Sequence, residues 1–305
     1  MKALVTGGAG FIGSNLTDAL LRAGHDVVVV DDLSRGKREQ VNEAAQLVVL
    51  DITDAGLAGV VAEAQPEIVF HQAAQIDVRQ SVRDPVRDTR VNVGGSVNVL
   101  AASAAAGVRR VVFASTGGAI YGDTDVIPTP ETQPCAPESP YGASKLCVEA
   151  YGATFQRIHG MEFIALRYGN VYGPRQDPHG EAGVVAIFAK RLLSGEVAVI
   201  NGDGGQTRDY VYVDDVVAAN LRSIDAASSY VLNIGTGIET DVNEVFRRLR
   251  ALASSDVEER HGPAKPGEQR RSCLDISHAR DTLGWQPRTN LDSGLARTLD
   301  FFRNV

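Results

Sequence analysis

The run Val5-Thr6-Gly7-Gly8-Ala9-Gly10-Phe11-Ile12-Gly13 leaves an apolar, β-branched segment and enters a helical pattern, so the chain must turn sharply from strand to helix within a few residues. The same alternation then repeats. Lys2–Thr6, Asp26–Asp31, Gln46–Ile52, Glu67–Ala74 and Arg109–Thr116 read as strands, while Ile12–Ala23, Ala55–Ala64 and Thr89–Ala106 read as helices between them. Near-continuous apolar strands separated by helices predict a parallel sheet covered on both faces. Five prolines between 123 and 140 predict a loop leading into a helix that begins near Tyr141. Further on, Glu162–Tyr168 reads as a sheet strand, Gly169–Gly183 as a polar excursion, Val184–Leu193 as a helix and Val197–Ile200 as a short strand, with Asp209–Asn220 and Tyr230–Ile234 returning to the main sheet.

Glycines after a strand and before a helix let the backbone turn tightly and bring a pyrophosphate against free N–H groups at the helix start. Gly7, Gly10 and Gly13 stand in that context, spaced G-x-x-G-x-x-G. Asp31 ends the second strand 18 residues beyond Gly13, where a carboxylate accepts bonds from adenosine ribose hydroxyls. It would repel a ribose 2′-phosphate, which favours NAD over NADP, although Arg35 and Lys37 stand close in sequence. Asp51-Ile52 ends the third strand, either as a holder of the adenine edge or as a solvated strand end. The expected architecture is an α/β fold, a Rossmann-type doubly wound parallel sheet with a smaller, discontinuous C-terminal α/β domain. Residues 1–168, with about 209–236 returning, would bind the cofactor, and 169–208 with 237–305 the substrate.

A net charge of −8 without long charged runs argues against a nucleic-acid footprint or a polybasic membrane patch. No apolar run approaches the length of a membrane span, and the glycine motif begins so early that a cleavable signal peptide is not expected; a cytoplasmic protein is. Cys135, Cys147 and Cys273 lack metal-type spacing and read as reduced thiols, with no metal site.

Tyr141 and Lys145 are four apart and share one helix face. A nearby ammonium favours phenolate, so the pair predicts a tyrosine whose pKa is lowered toward neutrality for proton exchange.

With these segments the chain resembles the extended short-chain dehydrogenase/reductase family and, within it, the nucleotide-sugar 4-epimerases. The matching blocks are Gly7 to Ser14, Asp31 to Ser34, Asp51-Ile52, His71 to Gln75, Ser115 to Gly122, Ser139 to Lys145, Leu166 to Gln176 and Gly202 to Tyr210. The resemblance implies reversible inversion at C4 of a UDP-hexose through a transient 4-keto sugar and retained NAD. Tyr141 would be the acid/base, and Lys145 would tune it and bond the nicotinamide ribose. Phe11, Ile12, Asp32, Ser34, Gly36, Ala73, Ala74, Gln75, Asn92, Ser115 and Tyr168 would surround the dinucleotide. Asn170 and Val185 would face the sugar nucleotide, with Arg208 and Lys265 on its diphosphate. Ser272 stands where the family's aromatic residue restricts the pocket to plain hexoses, so N-acetylhexosamines are expected to be accepted as well. A homodimer built from two helices of each subunit, one bearing Tyr141, is also implied.

One position departs from the family. The hydroxyl residue four before the tyrosine of the V-Y-G segment is Gly117 here, and Thr116 lies one residue early. The Gly117-Gly118 pair is expected to adopt backbone angles closed to other residues, letting Thr116 or Ser115 reach the site; alternatively the phenol acts without an intervening hydroxyl. Two glycines also replace the acid pair that a 4,6-dehydratase of the family carries. A uronate epimerase or reductase of the same fold, and a dinucleotide sensor without turnover, are the competing readings.

Overall fold

The computed structural model describes residues 1–179, 183–264 and 269–304. Its strands, in chain order, are β1 (Lys2–Thr6), β2 (Asp26–Asp31), β3 (Gln46–Val49), β4 (Ile68–His71), β5 (Arg110–Thr116), β6 (Glu162–Tyr168), β7 (Asn170–Tyr172), β8 (Val199–Asn201), β9 (Thr207–Tyr212), β10 (Tyr230–Ile234), β11 (Glu239–Asp241) and β12 (Arg260–Gly262). Seven of them form one sheet in the order β10-β6-β5-β4-β1-β2-β3, and every pairing in it is parallel. Strand order reverses between β1 and β4, which opens a crevice beyond their C-terminal ends. The glycine run leaves β1 on one side of that crevice, and the Gln72–Asp77 segment leaves β4 on the other.

Alternating side chains sort the sheet into two apolar layers. Val5, Phe70, Ala114 and Leu166 face the Phe11–Arg22 and Val213–Arg222 helices. Leu4, Val69, Phe113 and Ala165 face the helices that contain Leu57, Val99 and Val148. The Pro140–His159 helix lies on this second side. Its limits follow from local chemistry: the Ser139 hydroxyl accepts from Gly142 N, Pro140 stands at the first turn, and Gly160 closes the helix in the left-handed region. At Gly152 the helix presses on the sheet, since a Cβ there would lie 2.3 Å from the Phe163 ring.

Two expectations about the elements change. The predicted Thr89–Ala106 helix is split into a π-helical segment, Thr89–Gly95, and an α-helix, Ser96–Ala105, with Ser96 Oγ donating to the Asn92 carbonyl inside the widened turn. Residues 209–212 do not rejoin the main sheet. They belong to β9, which pairs with β7 and β11 in a small separate sheet, while the Val213–Arg222 helix packs beside Phe11–Arg22 and β10 adds to the main sheet next to β6. Edge positions also shorten: β3 stops at Val49 rather than Ile52, and β4 runs only from Ile68 to His71.

Candidate active site

At the β1 end of the crevice, Gly7 has φ +69°, and a Cβ on it would lie 2.6 Å from Ala73 N. A Cβ on Gly13 would fall 2.1 Å from the Gly7 carbonyl, so these two positions are fixed by the chain's own packing. Gly10 differs: a Cβ there meets only Gly7 O, at 3.3 Å, and otherwise fills the space in front of the helix. No side chain caps the N-terminus of Phe11–Arg22, which leaves its first N–H groups and positive dipole end for an anionic group.

Asp31, largely buried at the end of β2, accepts from Ala9 N (2.9 Å) and Leu33 N (2.9 Å). Each carboxylate oxygen therefore holds one backbone donor and keeps a lone pair for another. Burial raises its pKa, and the two backbone bonds oppose that rise. Gly36 closes this corner, because a Cβ on it would clash with Ala9 and with Asp31 Oδ1. Asp32 accepts from the N–H and hydroxyl of Ser34, and Asp51 from Thr53 N. Ile52 is buried against Gly95. The Arg35 guanidinium lies 3.8 Å from Asp77, so it is turned toward an acid across the crevice mouth.

Across the crevice, Asn92 is buried and clamps Gln75 by two bonds, accepting from Gln75 N (2.8 Å) and donating to Gln75 O (2.9 Å). This holds the Ala73-Ala74-Gln75 backbone, so Asn92 acts on that wall of the crevice through Gln75. Asp88 joins the cluster and was not singled out from the sequence. Nothing but its spacing of four before Asn92 could have suggested it.

Tyr141 and Lys145 do share a face of the Pro140–His159 helix, but the expected electrostatics are reversed. Lys145 Nζ donates to Ala114 O (2.8 Å), lies over the Phe113 ring and sits 5.7 Å from the centre of the Tyr141 ring. Burial, followed by the Asp88 carboxylate, pushes the Tyr141 phenol well above its ordinary value, so the lysine alone does not lower it. Burial also brings the Lys145 ammonium down to about 8, with Asp88 and Glu149 opposing. Burial thus works against the charged form of both groups, the phenolate and the ammonium.

Ser115 donates to Glu149 Oε1 (2.6 Å) inside the core and is committed there. Thr116 stands at the end of β5, half-buried, in register with Tyr168. Gly117 and Gly118 open an ordinary helical turn, Gly117–Ile120, and neither has a positive φ, which corrects the expectation of unusual backbone angles. The glycine is steric: a Cβ on Gly117 would lie 2.5 Å from Leu274 Cδ1. Gly118 lies beside Asn170, its absent Cβ 3.5 Å from Asn170 Oδ1.

Tyr168 is buried, and its hydroxyl accepts from Asn220 Nδ2 (2.8 Å) and Gln72 Nε2 (3.4 Å), so only its ring and backbone are offered to the crevice. The Val185 side chain is packed into the core, leaving its backbone as the group a ligand could meet. Asn170 begins β7, and Arg208 on β9 donates to Thr207 O (2.7 Å); the small sheet brings the two strands together. Ser272 is buried next to Cys273 and Leu274, the segment that bridges Thr129. Lys265 lies outside the described residues.

A second buried cluster also went unread. Arg167 on β6 holds Glu149 through two bonds (2.9 and 2.6 Å) and donates to the Tyr121 hydroxyl (2.9 Å), which donates to Asn233 Oδ1 (2.7 Å). It ties the Tyr141 helix to β6, the Gly117–Ile120 turn and β10. The i, i+4 spacing of Lys145 and Glu149 was the only available signal. Among the described residues no group of His, Cys, Asp and Glu could hold a metal, and no helix is long and apolar enough to cross a membrane.

The NAD dependent epimerase/dehydratase family matches residues 3–235. A UDP-glucose 4-epimerase of Mycolicibacterium smegmatis is 47% identical over 310 residues, spanning 100% of this chain and 99% of that one. Among solved structures, UDP-glucose 4-epimerase from Thermotoga maritima, crystallised with UDP-glucose, superposes with a TM-score of 0.98 at 48% identity, over 100% of this chain and 99% of the other. The Thermus thermophilus UDP-glucose 4-epimerase in complex with NAD gives 0.95 at 44% identity, over 99% of each chain.

Proposed function

This chain belongs to the NAD dependent epimerase/dehydratase family, and from that premise we propose that it is an NAD-dependent isomerase that inverts C4 of UDP-hexoses, interconverting UDP-galactose and UDP-glucose through a 4-keto sugar. The observation that carries the reading is the pair formed by half-buried Tyr141 and buried Lys145 beside a crevice whose opposite wall is an uncapped glycine-helix junction.

The residues present fit a dinucleotide. The Gly10 cradle and the start of Phe11–Arg22 would take the pyrophosphate, Asp31 the adenosine ribose, and the Asn92-clamped Gln75 segment the nicotinamide side. Asp31 at that corner disfavours a 2′-phosphate. When bound, NAD would supply the hydride acceptor and, in its oxidised form, a positive charge.

Tyr141 takes and returns the proton of the 4-hydroxyl, and Lys145 holds charge beside it. Thr116 is the hydroxyl at the end of β5 left for a relay, because Ser115 is bonded to Glu149. Asn170 and Arg208 anchor the nucleotide, Arg208 together with Lys265 serving the diphosphate. Few side chains are thereby committed to the hexose, which has to turn over between hydride removal and return. The cofactor unit comprises residues 1–168 with the returning segment that ends in β10, and the remainder holds the sugar nucleotide. The homodimer that the family resemblance implies would include the Tyr141 helix, which carries the exposed side chains Tyr151 and Ile158; sedimentation would give its mass.

The test is to incubate purified protein with UDP-galactose, without added NAD, and to look for UDP-glucose. Conversion is expected; no conversion even with NAD supplied overturns the proposal.

A further inference from the structure

We propose that Asp88 is a positioning residue that locks the Tyr141–Lys145 helix to the cofactor wall, an inference that rests on the epimerase reading of the site. Asp88 ends a short helix, Pro85–Asp88, and is 1% exposed. One carboxylate oxygen accepts from Asn92 Nδ2 (2.9 Å) and Gln75 Nε2 (3.1 Å), and the other from Ser144 Oγ (2.7 Å). Those donors come from three different segments: the π-helical turn, the loop after β4, and the helix that carries the acid/base pair. Ser144 stands between Tyr141 and Lys145, so its bond fixes the stretch of helix that presents both. A second tie runs beside it, with Tyr141 N donating to Ser81 Oγ (3.2 Å), which itself donates to Val78 O (2.6 Å).

Among the described residues Asp88 has no cationic hydrogen-bond partner; its three donors are amides and a hydroxyl. A buried carboxylate so held is costly compared with an apolar or amide residue of the same volume. Its place is understandable if the charge itself is used. The groups around the pair are few. His71 lies against Phe113 on the Lys145 side and is held neutral by burial; Glu149 is paired with Arg167; Asp88 raises both Tyr141 and Lys145. Asp88 therefore favours the protonated form of both side chains, opposing burial at Lys145 and adding to it at Tyr141, while its bond from Ser144 holds the helical turn that carries them.

The experiment separates charge from tether. Lys145 ionisation is followed by NMR on carbon-labelled lysine, assigned with Lys145→Arg, in wild type, Asp88→Asn and Ser144→Ala, alongside kcat and KM for UDP-galactose. In Asp88→Asn the Lys145 titration is expected to move down by about one pH unit, the scale of a lost opposite charge nearby. Its kcat should fall with KM for the sugar nucleotide little changed. Ser144→Ala should lower kcat and leave the Lys145 titration in place. An unmoved Lys145 titration in Asp88→Asn, or full kcat in Ser144→Ala, overturns the proposal. A wild type inert on UDP-galactose whose Lys145 titration still moves on Asp88→Asn sinks the epimerase reading and leaves the placing of Lys145 by Asp88 standing.

Discussion

Leu274 occupies the space that a side chain on Gly117 would need, with its Cδ1 2.5 Å from where that Cβ would stand. Leu274 is anchored independently: its N–H donates to buried Asp209, and it bridges Thr129. Gly117→Ser, which restores the hydroxyl of related chains, should therefore cost about 1–3 kcal/mol through overpacking and fail to raise turnover. Paired with Leu274→Ala it should cost less than the sum of the two single changes, as contacting residues couple. Chemical denaturation of the four proteins measures this; additive costs would show that the two side chains do not compete.

Removing Arg167 leaves the Glu149 carboxylate buried without its cation, with the Ser115 hydroxyl still donating to it. Arg167→Met should destabilise the fold by about 3–5 kcal/mol, whereas Arg167→Met combined with Glu149→Leu should recover much of that loss. Urea midpoints at constant m-value decide it, and equal stability of the single and double variants would contradict it.

His71 predicts an acid-side loss of stability. Ser96 Oγ spends its proton on the Asn92 carbonyl, so His71 Nε2 donates to Ser96 and Nδ1 accepts from Thr6, a neutral tautomer. Burial, then Lys145, lowers the imidazole pKa to about 3 from an ordinary 6.5. Above 6.5 neither state binds the proton; between 6.5 and 3 the unfolded chain binds it and the fold does not, so stability falls as pH drops through that window. The slope approaches about 1.4 kcal/mol per pH unit, or about 2 kcal/mol between pH 7 and 5. Urea unfolding at both values should show that difference shrinking in His71→Gln; an unchanged difference would mean that His71 is not its source.

Ser272 is small and buried in the segment that ends at Leu274. Ser272→Tyr should depress activity on UDP-N-acetylglucosamine at least about tenfold more than on UDP-glucose, as steric exclusion from a pocket does. An unchanged activity ratio would remove Ser272 from substrate selection.

The glycine run, Asp31, and the Tyr141–Lys145 spacing were legible in the sequence because each is a local pattern: a turn that needs glycine, a strand end, two side chains one helical turn apart. The same locality gave the parallel sheet and most of its strands. What those residues do to one another was decided elsewhere. The Tyr141 phenol is driven up rather than down because burial and Asp88 outweigh a lysine whose bond goes to Ala114, and neither burial nor that bond is written in the i, i+4 spacing. Gly117 is glycine because of Leu274, a residue 157 positions away that reaches it only through the packing of the C-terminal segment. Asp88, Glu149 and Arg167 looked like ordinary charged residues in the chain; the fold buries them, and once water is excluded their partners set both the stability and the electrostatics of the site.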